Sequence, residues 1–117
     1  MGKVLTKADI LGAQDLKIER VSVPEWGGDV FLRSMSSKER DNLEAEAVGW
    51  GKGTRAPNLR ARLIAQLACD EAGNALFSVA DVDALGKKSG AASSRLFNKI
   101  MEMTNFTAAD IEELEKN

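Results

Sequence analysis

Residues 16–33 read LKIERVSVPEWGGDVFLR, and this stretch decides the fold class. Apolar residues alternate with charged or polar ones before the turn, with one phase slip between Ile18 and Val21, which is typical of a half-buried strand. Pro24 lacks the amide hydrogen that a β-ladder needs, and the Gly27-Gly28 pair permits positive φ angles. The stretch therefore predicts a β-hairpin whose second strand covers residues 30–33.

A helix is predicted directly after the hairpin. Ser36-Ser37-Lys38-Glu39 is a capping box, in which the Ser and Glu side chains each bond to the other residue's backbone N–H. We expect this helix to run to about Val48. Its charged residues mix both signs, which is typical of a solvated helix surface; they are Lys38, Glu39, Arg40, Asp41, Glu44 and Glu46.

A short pattern occurs three times, at residues 5–10, 77–82 and 106–111. Each copy has an apolar residue, a Thr or Ser, two spacers, an Asp and a second apolar residue. The hydroxyl caps free backbone N–H groups, the Asp lies where the helix dipole favours negative charge, and the apolar pair occupies the staple positions. The pattern predicts three helix starts.

The remaining segments complete the prediction of an α+β fold. Three Gly and one Pro indicate a loop at residues 49–57, and residues 71–77 form a turn and a short extended piece. The other predicted helices run from Pro57 or Asn58 to Cys69 or Asp70, from the 77–82 cap to about Gly86, from Ser89 or Gly90 to Met103, and from Ala108 to about Lys116. We expect one domain over residues 1–117, with an N-terminal β-hairpin, about five to six helices and a mostly helical C-terminal part.

The composition excludes several kinds of chemistry. The 117 residues include 16 basic and 18 acidic side chains, no His and one Cys. Histidine-dependent triads, Cys-His dyads and ordinary zinc sites therefore cannot form within one chain. No stretch approaches the roughly 20 apolar residues that span a bilayer, and the N-terminus lacks the apolar region of a secretory signal. We expect a cytoplasmic protein that is not an enzyme.

The most uneven distribution of charge lies in residues 47–69, which contain no acidic side chain. Their four basic residues are Lys52, Arg55, Arg60 and Arg62. They are candidates for contact with phosphates, with Trp50 as a stacking platform, or with an acidic patch on a protein partner. The Gly49–Thr54 glycines do not have the spacing of a phosphate-binding loop.

Three further side chains have two interpretations each. Arg60 falls within the apolar arc of its helix, so its stem either carries the charge to the surface or the guanidinium meets a partner carboxylate. Trp26 and Trp50 lie beside loop glycines. Each either anchors an interface or folds back to cover a small core. Cys69 is predicted on the opposite side of that helix, as an unreactive thiol.

The order of motifs resembles a known family, the small tail assembly chaperones of long-tailed bacteriophages and prophages. The most specific piece is the Val23–Gly28 turn, followed by the strand at residues 30–33 and the Ser36–Arg40 helix start. Further pieces that match are Leu5–Leu11, Arg60–Ile64, Asp70–Phe77 and Asp83–Ser89, so the resemblance extends from Leu5 to about Leu114.

The resemblance implies a protein without catalytic activity or cofactor. Copies of such a chaperone coat the long tape-measure protein, keep it soluble and pass it to tail-tube subunits in the host bacterial cytoplasm. They self-associate, are absent from the mature virion, and often have a longer, frameshifted form. The codons for Glu115-Lys116-Asn117 are a candidate slippery site. Trp26, Trp50, Lys52, Arg55, Arg60 and Arg62 are the candidate partner contacts, on chemistry alone.

Two alternatives remain open at this point. In the first, the protein is a minor tail or head–tail component of the virion. In the second, it is a small nucleic-acid-binding regulator that uses the basic residues between 52 and 62. Nucleic acid is the less expected partner because the net charge is −2.

Overall fold

A computed structural model describes residues 2–47, 58–105, 107, 109, 110 and 112. Within these residues the chain forms a three-stranded sheet and five α-helices. Their order is α1 (Lys7–Leu11), β1 (Ile18–Val23), β2 (Gly28–Arg33), α2 (Ser37–Ala47), α3 (Leu59–Leu67), β3 (Ala68–Cys69), α4 (Val82–Gly86) and α5 (Gly90–Thr104). The predicted α+β class is therefore confirmed. The predicted loop at 49–57 lies outside the described residues, as does most of the predicted helix at 108–116.

The hairpin forms where residues 16–33 predict it. β1 and β2 pair antiparallel in a register that sets Ile18 opposite Arg33 and Val23 opposite Gly28. Residues Pro24–Trp26 make a single 3₁₀ turn, which Gly27 ends with φ 75°, and the Gly27 N–H donates to the Pro24 carbonyl at 3.1 Å. A positive φ is inexpensive only for glycine, so Gly27 determines how the chain enters β2.

The apparent phase slip in β1 has a simple origin. Within the strand, the half-buried and buried residues alternate regularly with exposed ones. Val21 and Val23 face the helices, whereas Ile18 lies on the opposite face, beside Gly73. The strand is therefore regular, and the apolar residue at position 18 packs on the outer side of the sheet.

The third strand corrects the predicted end of α3. The helix ends at Leu67, and the next two residues pair antiparallel with β2, Ala68 opposite Leu32 and Cys69 opposite Phe31. Both residues are buried. A short apolar run has the same pattern in a helix as in a buried strand, so the sequence does not distinguish the two. These residues form a strand because β2 offers a free edge with which they pair.

The helix caps follow the sequence patterns. Thr6 and Asp9 form a reciprocal capping box, as do Thr107 and Asp110. The Ser78 N–H donates to Asp81 Oδ2 at 2.8 Å, at the start of a 3₁₀ turn that leads into α4. Ser36 and Glu39 form the predicted box at the start of α2. These helix starts are therefore set locally.

The core lies between the inner face of the sheet and the helices α3 and α5. Six of the nine residues of α3 are buried, which makes it the central helix of the described fold. The largest fully buried apolar side chains are Val23, Leu32, Leu63, Ile64, Leu67, Leu96 and Ile100. Phe97, Met101 and Met103 pack around this core with part of each side chain in water. In the described part of the chain, no helix has the length and hydropathy to cross a bilayer.

Candidate protein-contact surface

The predicted contact residues separate into two groups. Trp50, Lys52 and Arg55 lie outside the described residues, so their predicted role stays a prediction. Trp26, Arg60 and Arg62 are described. Arg60 and Arg62 are two positions apart in α3, which places them on nearly opposite sides of that helix.

Trp26 ends the 3₁₀ turn at the tip of the hairpin and is 38% exposed. Its neighbour Glu25 accepts the Nε–H of Arg95 from α5 at 2.9 and 3.0 Å. The Glu25 backbone N–H and the Arg95 guanidinium lower the pKa of this carboxyl, so the pair stays charged at neutral pH. The turn that presents Trp26 is thus tied to α5, and the indole keeps an accessible edge.

Arg60 carries its charge to the surface along an aromatic ring. Its guanidinium carbon lies 5.0 Å from the centre of the Phe97 ring, and Nη1 lies 3.3 Å from the Ser94 hydroxyl. The stem covers apolar surface between α3 and α5 while the head group stays exposed. Arg60 therefore joins two helices, and its guanidinium also remains accessible to a partner.

Arg62 lines a groove that the sequence patterns did not indicate. This groove has a volume of about 350 Å³ and lies between α2, α3 and residues 75–82. Its apolar lining consists of Leu43, Ala65, Ala75, Phe77, Val79 and Val82. Its polar lining consists of Glu39, Asn42, Glu46, Arg62, Gln66 and Ser78. An apolar floor with a polar rim is the usual anatomy of a protein-contact site.

The side chains beside this groove are unusually exposed for their type. Val79 is 80% exposed and Leu76 is also exposed, although both are apolar. Both belong to the segment between β3 and α4. This segment consists of short turns, which cover little of the two side chains. The staple residues of the Ser78 cap are Phe77 and Val82, which are half-buried and buried. Leu76 and Val79 lie outside that pair, and no pattern in the sequence indicated their exposure.

Glu39 supports one wall of the groove and corrects the prediction of a fully solvated α2 surface. Its carboxylate accepts two hydrogen bonds from the Arg33 guanidinium, one of them 2.6 Å long at Nη1. Arg33 Nη2 also donates to the Gln66 carbonyl at 3.0 Å, so one ion pair joins β2, α2 and the end of α3. These bonds lower the pKa of Glu39 to about 2, mainly through Arg33. A charged pattern on a helix did not reveal this pair, because its partner comes from another element.

Cys69 is buried in β3, not on the far side of a helix. Burial raises the pKa of its thiol, and the nearby positive charge of Arg33 only partly opposes this. A protonated, buried thiol is a poor nucleophile. Within the described ranges, no group of three or more Cys, Asp or Glu side chains is placed to hold a metal ion.

A second exposed apolar region lies at the N-terminus. Val4, Leu5, Ile10 and Leu11 are all exposed, and Val4 is 90% accessible to water. Together with the groove and Trp26, they give this small chain several apolar surfaces that face solvent. Such surfaces commonly mark sites of contact with other proteins. The fold and these surfaces therefore define a small α+β protein with exposed apolar surface of the kind that contacts other proteins.

Comparison with known proteins specifies that class. The family model of the phage tail assembly chaperones matches residues 10–117, so the chain belongs to this family. The predicted family is thereby confirmed. A solved structure of the bacteriophage HK97 tail assembly chaperone is 25% identical, with a TM-score of 0.59 over 84% of this chain and 92% of that one. No curated protein matches the sequence.

Proposed function

We propose that this protein binds the phage tape-measure protein during tail assembly, keeps it soluble and helps to recruit tail-tube subunits. It acts by contact alone, without catalysis or cofactor, in the host bacterial cytoplasm. Several copies associate along one tape-measure chain and leave before the virion is complete. A longer, frameshifted form of the protein takes part as a minority component.

Membership of the tail assembly chaperone family is the observation that carries this proposal. The exposed apolar surfaces support it physically. A long partner that is waiting for its tube must have its own apolar residues covered, and a chaperone can do this only with apolar surface that its own core does not use. Trp26, Arg60 and Arg62 are the described candidates for these contacts, and Trp50, Lys52 and Arg55 complete the proposed set.

Co-expression with the tape-measure protein of the same phage tests the proposal. We expect the two proteins to co-purify and the soluble fraction of the tape-measure protein to increase. Trp26→Ala should weaken this capture, while Trp26→Phe, which keeps an aromatic anchor, should retain most of it. If both proteins fold and neither co-purification nor improved solubility is seen, the proposal is wrong.

Two further measurements separate the alternatives. Mass spectrometry of purified virions should detect no copies of this protein, whereas a minor tail or head–tail component would be present in every particle. DNA binding that is absent even at low salt would exclude the nucleic-acid regulator, since phosphate contacts are strongest there.

A further inference from the structure

The N-terminal arm, defined here as residues 4–11, is an ordered apolar surface that its own chain leaves exposed. The Thr6–Asp9 capping box fixes the first turn of α1, and Lys3 pairs with Asp9 at 3.3 Å. No residue of α1 is buried, and Leu11 is 75% exposed. A capped turn that presents apolar side chains to water is suited to an intermolecular contact.

The groove between α2, α3 and residues 75–82 is the complementary half. Phe77, Val79 and Val82 line its apolar part, in which Val79 is exposed, Phe77 is half-buried and Val82 is buried. None of the residues that line it comes from the N-terminal arm. The arm of a chain therefore does not fill that chain's own groove.

Each surface offers one charge that can pair with the other, Lys7 on the arm and Glu46 at the groove rim, which also carries Arg62. On a helix, Lys7 lies between Ile10 and Leu11, so a site that accepts these two side chains must also accept a cation. Glu46 is exposed at the rim of the groove, on α2. Neither Lys7 nor Glu46 forms an ion pair within the described residues. The other carboxylate on this wall, Glu39, is already paired with Arg33.

We propose that the N-terminal arm of one copy docks in the groove of the next copy, with Ile10 and Leu11 on the apolar floor and Lys7 opposite Glu46. Because arm and groove are different surfaces, each bound copy still offers one free arm and one free groove. Such a contact is heterologous, and it builds chains or rings rather than closed two-fold dimers. This inference identifies the self-contact required by the proposed function, and in that sense rests on it.

The size of the contact sets its expected strength. The arm offers only four large apolar side chains. The surface that they can bury is smaller than the roughly 1,200–2,000 Å² of total surface that stable complexes bury. We therefore expect single contacts to be weak and assembly to depend on protein concentration, with larger species when a long partner aligns many copies.

Two complementary variants test the contact with the purified protein alone. Ile10→Ser/Leu11→Ser removes the arm's anchors and leaves the groove intact, and Val79→Lys blocks the groove and leaves the arm intact. We expect the wild type to form larger species as its concentration rises in analytical ultracentrifugation, and each variant alone to stay monomeric. An equimolar mixture of the two should form a 1:1 heterodimer, because one intact arm and one intact groove remain. Leu16→Ser, an exposed apolar site outside both surfaces, is the matched control and should assemble like the wild type.

A charge exchange tests the orientation. Lys7→Glu and Glu46→Lys should each weaken association by about fivefold, because each places like charges together at an exposed site. The combination of both changes should restore most of the affinity. Circular dichroism and thermal unfolding of every variant separate loss of contact from loss of fold.

Three outcomes would overturn the inference. A wild type that stays monomeric at the highest concentration, assembly that none of the folded variants changes, or a mixture that does not form heterodimers would each exclude the arm-to-groove contact. If the Val79→Lys variant lost the tape-measure protein but kept its self-association, the groove would be a partner site instead. Because self-association is measured without any partner, its failure is distinguishable from failure to bind the tape-measure protein.

Discussion

At the scale of single residues, Glu39 shows how one side chain can hold separate elements together. It caps the first turn of α2 and forms a two-point ion pair with Arg33, which also bonds to the last turn of α3. Each of the two side chains is slightly less than four-fifths buried. This burial strengthens the charged hydrogen bonds relative to those of an exposed pair. The same pair shapes the wall of the groove.

This pair predicts a specific pH dependence of stability. The pKa of Glu39 is about 2 in the folded chain against an ordinary value of 4.5, so its contribution is complete above pH 4.5 and is lost as the pH falls toward 2. Urea unfolding should show that Glu39→Gln lowers stability by about 2 kcal/mol at pH 7, and that the difference from wild type shrinks toward pH 2. Glu44→Gln, on the exposed side of α2, is the control and should change little. A difference from wild type that stayed constant between pH 7 and pH 2 would contradict this account.

At the scale of elements, the hairpin and α5 form one unit. Arg95 pairs with Glu25 at the hairpin tip, and Lys99 pairs with Glu19 in β1 at 3.2 Å. Between these ion pairs, the apolar face of α5 packs against the inner face of the sheet. The geometry of the tip therefore affects both the sheet and the position of Trp26.

Gly27 and Gly28 provide a matched pair to test that geometry. A Cβ added at either position would meet no atom within 4 Å, but only Gly27 has a positive φ. Gly27→Ala should lower the free energy of unfolding by about 1 kcal/mol through backbone strain alone. Gly28→Ala should stay within about 0.5 kcal/mol of wild type, in urea or thermal unfolding. Equal losses at both positions would show that the φ of Gly27 is not the cause.

At the scale of the whole molecule, stability depends on one core shared by the sheet, α3 and α5. Ile100 and Leu96 of α5 are fully buried there, together with Leu63 and Leu67 of α3. A truncation at this junction removes contacts from all three elements at once. The surface, by contrast, keeps apolar side chains in the N-terminal arm and the groove, where they are available for contacts between proteins.

Ile100→Ala should test the shared core. We expect a loss of about 2–5 kcal/mol in the free energy of unfolding, because a cavity remains where the buried side chain was. Asn98→Ala, on the exposed side of the same helix, should stay within about 0.5 kcal/mol. A loss below about 1 kcal/mol for Ile100→Ala would mean that α5 contributes much less to the core than its burial indicates.

The sequence by itself determined the local features of this protein: the hairpin turn, the helix caps and the position of α5. Each depends on residues within a few positions of one another, through backbone conformation, side-chain caps and periodicity, so a linear pattern contains the necessary information. The family was also recognisable from the order of these local motifs. Of the candidate contacts, the sequence identified Trp26 and Arg60 as unusual but not the ring and helix that hold Arg60.

Only the tertiary structure decided the features that join distant positions. The strand at Ala68–Cys69 exists because β2 offers a free edge, and the Arg33–Glu39 pair forms because α2 folds back beside the sheet. The groove likewise arises where α2, α3 and residues 75–82 meet, and the exposure of Val79 follows from the absence of described residues that cover it. Contacts between separate elements depend on chain packing in three dimensions, which no local pattern of residues specifies.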